Sequence, residues 1–338
     1  MIKFAITGLG HIGQRHAEMI QRNKDSALVA LIDTDATVRS LLAEKYPALP
    51  VFASLENFLE SGIAAEVLTI ATPNGYHTAQ ALQALDQGMH VVIEKPMGLT
   101  KAHAEEVILK ALSKNKQVFC VMQNRYSPPS AWLKQLVEQG ILGKLFMVQI
   151  NCYWNRDERY YKHTGWHGTK ALDGGTLFTQ FSHFVDLMYW LFGDIKNIQA
   201  RLNDFNHAAL TEFEDSGMVN FEFVNGGMGC INYSTSVWDK NLESSMTLIA
   251  ENGAVKVGGQ YMDKVEYCHV RNYTMPVLSD TNPPNDYGPY KGSAANHHFV
   301  IENVVDTLEG RSTITTNALE GLKVVDIIER IYAAGREK

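Results

Sequence analysis

Through the first third of the chain, short apolar runs alternate with stretches of helical spacing. Residues 2–7, 27–32, 51–52, 66–70, 90–93 and 118–121 read as strands, and residues 14–23, 37–46, 55–62, 77–87 and 101–115 as helices. Continuous apolar runs suit strands buried on both faces, and regular strand–helix alternation places such strands in a parallel, doubly wound sheet. Beyond residue 130 the rhythm changes. A helix over 132–139 gives way to β-rich runs at 144–154, 218–223, 228–234, 246–251 and 264–270, with turn signals such as Asn225-Gly226-Gly227 and Asn252-Gly253 between them. Strands joined by tight turns predict an open, mainly antiparallel sheet. Helices over 296–309 and 317–334 close the chain, and Pro128-Pro129 marks a boundary, so two domains are expected over 1–122 and 123–338.

Composition narrows the class of ligand. Among 338 residues, 30 are Lys or Arg and 37 are Asp or Glu, and the net charge of −7 disfavours general binding to nucleic acid or anionic membrane. No run approaches the ~20 apolar residues of a membrane span, and a strand pattern begins at once without the regions of a secretion signal, so a cytoplasmic protein is expected. Cys120, Cys152, Cys230 and Cys268 are widely spaced. That spacing fits reduced thiols better than disulfides or a structural zinc, and no metal is expected.

The first strand runs into Gly8-Leu9-Gly10-His11-Ile12-Gly13 and then a helix, which is GxGxxG in its required context. Gly8 permits the tight turn, Gly10 lets a pyrophosphate approach the backbone, and Gly13 lets helix and strand pack closely; His11 and Ile12 open the helix N-terminus beside the phosphates. The second strand ends in Asp33, 20 residues beyond Gly13, where a carboxylate accepts hydrogen bonds from ribose hydroxyls and repels a 2′-phosphate. NAD is therefore the expected cofactor, on a Rossmann-type sheet. Asn74, after the fourth strand, fits two roles: an amide for the cofactor, or a helix cap.

The fifth strand delivers Glu94-Lys95-Pro96 to its C-terminal end, where open α/β sheets keep their ligands, and the X-Pro bond there is a candidate cis peptide. In the second half, Gly174-Gly175 open a helix on which Thr179, His183 and Asp186 share one side at i, i+4 and i+7. His183 reads either as a packed core histidine or as a catalytic one. The stretch from Tyr153 to Gly168 mixes cations and aromatics: Arg156, Arg159 and Lys162 with Tyr160 could bind a diphosphate, or form a charged loop paired internally with Asp157 and Glu158.

The stretches ITGLGHIGQRH, ATPNGYH, HVVIEKP, QNRY and GILGK, in this order, resemble the glucose-fructose oxidoreductase, inositol dehydrogenase and MocA family of sugar dehydrogenases. The resemblance implies a cis peptide at Pro96, Lys95 between nicotinamide and the reacting hydroxyl, and His183 beside that hydroxyl. It adds Thr72, His77, Glu94 and Gln123 to the cofactor site and Arg125 to the substrate site. Thr179 stands where many members have Asp, so the usual carboxylate–His–Lys set is altered. The basic-aromatic stretch, GGTLFTQFSHFVD and GSAANHH resemble the branch that oxidises the 3-hydroxyl of UDP-N-acetylglucosaminuronic acid for bacterial lipopolysaccharide synthesis. That branch has Thr-Gln at 179 and 180, and it implies Gln180, Ser293, Asn296 and His297 as substrate neighbours, with Asn296 also suited to cap a helix.

A secondary alcohol loses hydride from carbon and a proton from oxygen. His183 is the expected base and Lys95 the group that orients the hydroxyl, with the reverse assignment open. The alternatives are an inositol or free-sugar dehydrogenase and a non-catalytic NAD-binding regulator. Some relatives in the branch recycle bound NAD with 2-oxoglutarate, and an exposed sheet face implies a homodimer or homotetramer.

Overall fold

The computed structural model describes residues 1–162, 165–288 and 290–336. His163 and Thr164 of the basic-aromatic stretch, and Pro289 of the adjacent proline-rich loop, lie outside the described residues. The chain divides into two compact units, one of residues 1–122 with 297–325, the other of 123–296 with 326–338. Residues 297–325 thus pack with the first unit.

The first unit follows the predicted alternation: β1 (Ile2–Thr7), α1 (His11–Arg22), β2 (Ser26–Ile32), α2 (Ala36–Lys45), β3 (Val51–Phe52), α3 (Leu55–Glu60), β4 (Val67–Ile70), α4 (His77–Asp86), β5 (His90–Ile93), α5 (Lys101–Lys114) and β6 (Val118–Cys120). All strand pairings are parallel, in the order β3-β2-β1-β4-β5-β6. This is the doubly wound order whose chain reversal, between β1 and β4, leaves a ligand crevice at the strand C-termini. Val91, Val92 and Ile93 are fully buried, each worth roughly 1.5–3 kcal/mol by removal from water.

The second unit contains α6 (Pro128–Glu138), β7 (Leu145–Tyr153), the short α7 (Glu158–Tyr161), a π-helical segment Leu177–Phe181 and α8 (Ser182–Phe192). Pro128 and Pro129 open α6, where a missing N–H costs nothing. Next come β8 (Ile195–Asn203), β9 (Ser216–Phe223), β10 (Met228–Ser234), β11 (Glu243–Ala250), β12 (Gly253–Gly258) and β13 (Lys264–Val270), then a small hairpin of β14 (Pro284–Asp286) and β15 (Lys291–Ala294). Helices α9 (His297–Leu308) and α10 (Ala318–Ala334) follow. The large sheet has the order β13-β12-β11-β7-β10-β9-β8, antiparallel except for the β10–β7 pair.

Side chains alternate across this sheet with period two. Val148, Ile150, Cys152, Ile231 and Tyr233 are buried on one face, where Tyr233 meets Phe181. Met147, Met218, Met228 and Ile249 stand exposed on strands of the same sheet. The sequence pattern passed over β8 and β12: β8 is mostly polar, and β12 is short and opens on a glycine.

Candidate active site

In the first unit, Gly8 has φ +84°, and a Cβ there would stand 2.6 Å from the backbone of Ala71. A side chain at Gly10 would instead point into open space, and α1 begins at Gly10 without a side-chain cap. Uncapped N–H groups above a clear surface form a cradle for a pyrophosphate. Asp33 holds the loop by accepting from Leu9 N at 2.6 Å and from Asp35 N at 2.9 Å. Each carboxylate oxygen keeps a lone pair for a ribose hydroxyl. The residues present fit a dinucleotide without a 2′-phosphate.

The Lys95-Pro96 peptide is cis. Behind it lies a buried group: His16 Nε2 is 2.7 Å from Glu94 Oε1, and His297 Nε2 is 3.7 Å from the same oxygen. Burial pushes the Glu94 carboxyl up, but the His16 hydrogen bond and charge outweigh it, leaving the group at about 2. Burial lowers His297 to about 3, so this imidazole is neutral. These three are the donor set a divalent ion could use. At 2.7 Å, however, His16 and Glu94 are hydrogen-bonded and closer than two ligands of one tetrahedral ion stand. His297, expected beside the substrate, sits in the first unit against Glu94.

His77 is likewise structural: its ring lies between Pro96 O at 2.7 Å and Thr72 O at 2.8 Å, fully buried, bracing two loops at the sheet edge. Thr72 donates its hydroxyl to Gln80. Asn74 starts a 3-10 turn, Asn74–Tyr76, whose cap position is Pro73, so it does not cap α4. Lys95 is half-buried.

In the second unit His183 is 3 % exposed, and Gln123 Nε2 lies 3.3 Å from His183 Nε2. The amide donates, so His183 Nε2 accepts and the neutral ring carries its proton on Nδ1. The single lone pair of Nε2 is engaged by Gln123, so a substrate hydroxyl reaches it by displacing the amide. Arg125 forms a buried two-point ion pair with Asp186, Nε to Oδ2 at 2.9 Å and a terminal nitrogen to Oδ1 at 2.6 Å. The pair ties Arg125 to α8. Gln180 links Arg156, which donates through Nε at 2.7 Å, to the Tyr160 hydroxyl at 2.8 Å. Thr179 donates its hydroxyl to the carboxylate of Asp173, which also accepts from Gly168 N. Toward a ligand, Thr179 acts as an acceptor.

Arg156 is 2 % exposed, faces the rings of Trp154, Tyr160 and Tyr290, and donates also to the carbonyls of Asn155 and Lys291 and to Asn241. Among the described residues it makes no ion pair. Arg159 grips Asp157 and reaches Asp239, and Lys162 pairs with exposed Glu158 at 2.6 Å. The internally paired reading holds for these two, and exposed pairs of this kind add little stability. Tyr153 turns to the same side as Asn151, which its hydroxyl approaches at 3.4 Å, opposite the face on which Tyr233 meets Phe181. One step along a strand reverses the side chain, and this removes Tyr153 from the His183 side. Asn296 donates to Gln123 O and Ser127 Oγ and accepts from Asn282, stitching loops together, while Ser293 accepts from Asn124. Asp173, His16 and Asp186 were not assigned roles from sequence, because their partners lie on other elements. A buried acid needs a donor, and only the fold shows which.

Comparison with known proteins agrees with this architecture. Residues 2–122 match the oxidoreductase family with an NAD-binding Rossmann fold, and residues 131–256 match the GFO/IDH/MocA C-terminal domain. The WlbA dehydrogenase of Bordetella pertussis, solved with NADH and UDP-GlcNAcA, is 30 % identical with a TM-score of 0.87, covering 99 % of this chain and 97 % of its own. That of Chromobacterium violaceum, with the same two ligands, is 29 % identical with a TM-score of 0.87, covering 99 % and 94 %. The D-glucoside 3-dehydrogenase of Escherichia coli is 26 % identical over 67 % of this chain and 68 % of its own. No helix among the described residues is long and apolar enough to cross a membrane. The chain belongs to the GFO/IDH/MocA family and is an NAD-dependent sugar oxidoreductase.

Proposed function

We propose that the protein oxidises the 3-hydroxyl of UDP-N-acetylglucosaminuronic acid to the 3-keto sugar, a cytoplasmic step in lipopolysaccharide sugar synthesis. The observation that carries this reading is the end-to-end likeness to two WlbA dehydrogenases solved with UDP-GlcNAcA. NAD, when bound along Gly8–Gly13 and Asp33, supplies the hydride acceptor. His183 Nε2 takes the hydroxyl proton once the substrate hydroxyl replaces the Gln123 amide at that nitrogen. Lys95 orients the hydroxyl and stabilises the developing negative charge. Thr179, as an acceptor, and Gln180, fixed by Arg156, align the sugar.

A free glycoside is a second reading, favoured by the D-glucoside relative and by Arg159 and Lys162 being paired within the protein. We further assign the exposed methionine-bearing sheet surface to self-association as a dimer or tetramer. The test is reduction of NAD with UDP-GlcNAcA, other UDP-sugars, free glycosides and inositol, with 2-oxoglutarate added to detect recycling of bound cofactor. Turnover confined to free sugars would overturn the nucleotide-sugar reading, and absence of turnover on every sugar would overturn both.

A further inference from the structure

The π-helical segment that carries Thr179 and Gln180 begins without a cap of its own, since Thr176 makes no side-chain bond to the helix start. The N–H groups of a helix start need acceptors. Leu177 N finds one in the hydroxyl of Tyr332, at 3.0 Å and 155 positions later in α10. Tyr332 in turn donates to Glu214 Oε1 at 2.7 Å, and Tyr233 of β10 donates to the same oxygen at 2.9 Å. Thr176 donates its hydroxyl to the Glu214 carbonyl, and Phe178 stacks on the Tyr332 ring at 5.8 Å. Gly175, at φ +137°, leaves room for the phenol, because any Cβ there would collide with the Tyr332 hydroxyl. Three separate elements therefore converge on the first turn of this segment.

We propose that Tyr332 and Glu214 are positioning residues, forming with Tyr233 a clasp that fixes where Thr179 and Gln180 stand. The π turn, a departure from regular α geometry of the kind found at functional sites, carries the clasped Leu177 at its start and runs into the regular turns of α8. His183 falls beyond it, farther along the helix from the clasped Leu177 than Thr179 and Gln180, which share the π turn with Leu177. Loosening the clasp therefore displaces 179 and 180 more than 183. Burial is the chief influence raising Glu214, to about 7, with Asp173 adding to it; the Tyr233 and Tyr332 hydroxyls act in the opposite sense. Either protonation state keeps an acceptor for the phenols.

The functional consequence rests on the proposed role of Thr179 and Gln180 as sugar contacts. Tyr332→Phe keeps the ring and removes the hydroxyl. The expected result is a rise in KM for UDP-GlcNAcA of about tenfold, a kcat within about threefold, unchanged NAD affinity, and faster amide exchange over 174–181 than in the wild type. Simple destabilisation would lower the active fraction, and so the apparent kcat, with KM unchanged; that outcome overturns the clasp. Should Tyr332→Phe fail to fold, Glu214→Gln and Glu214→Ala replace it: Gln retains KM within about twofold, and Ala raises it as above. Equal KM values for Gln and Ala would overturn the proposal. If the wild type does not act on UDP-GlcNAcA, the functional reading fails by itself, and amide exchange still decides the clasp, since unchanged exchange over 174–181 in Tyr332→Phe overturns it.

Discussion

The glycine loop of the first unit and the polar network around His183 in the second are built by different means. The loop works through backbone: Gly8 must adopt φ +84° beside Ala71, and Gly10 must leave its surface bare. Requirements on the backbone are met by one residue type at fixed spacing, so they appear in the sequence as a motif. The network works through side chains whose partners lie outside their own helix, from six to 61 positions away. Thr179 depends on Asp173, Gln180 on Arg156 and Tyr160, and α8 on the Arg125–Asp186 pair. Nothing local announces such partners.

The sharpest test of the comparison is the proton acceptor. His183→Ala should lower kcat by about 10²–10⁴, the range for a lost general base, with NAD binding retained. Fluorescence titration with NADH beside steady-state kinetics would show both. Equal loss of cofactor binding would mean that the two regions are not separable in this way.

Arg125→Ala should come next in size, at about 3–5 kcal/mol of stability, because it strands Asp186 as a buried charge. Thermal unfolding measures it. Arg125→Met with Asp186→Leu should recover much of the loss, since burial without charge carries no such penalty. A single variant that unfolds like the wild type would show that α8 is held in another way.

These two tests bear on how far the sequence could be read. The parallel sheet, the tight turn at Gly8 and the cis bond at Pro96 were legible because each has a local cause: a continuous apolar run, a glycine spacing, a proline. The placement of His297 was not. The resemblance of GSAANHH implied a substrate neighbour, and α9 brings His297 to Glu94. The face that Tyr153 occupies was hidden for a related reason: strand pattern gives alternation, but which face receives α8 is set by packing. Arg156 read either as a diphosphate ligand or as part of a charged loop because its stretch is rich in charge; its burial among three aromatic rings was not legible.

The nucleotide loop predicts a smaller and purely local effect. Asp33→Ser removes the carboxylate that repels a 2′-phosphate, so NAD affinity should fall and the preference for NAD over NADP should relax by about tenfold, roughly 1.4 kcal/mol. Kinetics with both cofactors read this out, while KM for the sugar should be unchanged. An unaltered cofactor ratio would mean that Asp33 serves only to hold Leu9.

The gentlest test concerns pH and the buried group behind Lys95. His297 is held at about 3 against an ordinary 6.5, and Glu94 at about 2 against 4.5. In both cases the unfolded chain binds the proton more readily than the folded one, so stability rises with pH. The His297 contribution is complete above about 6.5 and falls away toward 3; that of Glu94 is complete above about 4.5 and falls away toward 2. Wild-type Tm should therefore decline between pH 6.5 and 4.5 before any Glu94 protonation. His297→Gln, which cannot take up a proton, should flatten that interval by several degrees while leaving the steeper loss below 4.5 in place. His90, held at about 4 by burial and by Lys116, adds a slope of the same sign, so the comparison is best made in a His90→Gln background. His77, lowered by burial in the first unit, adds a third slope of that sign, so only a slope that survives His77→Gln as well would place the acid sensitivity in the second unit, where burial lowers His207.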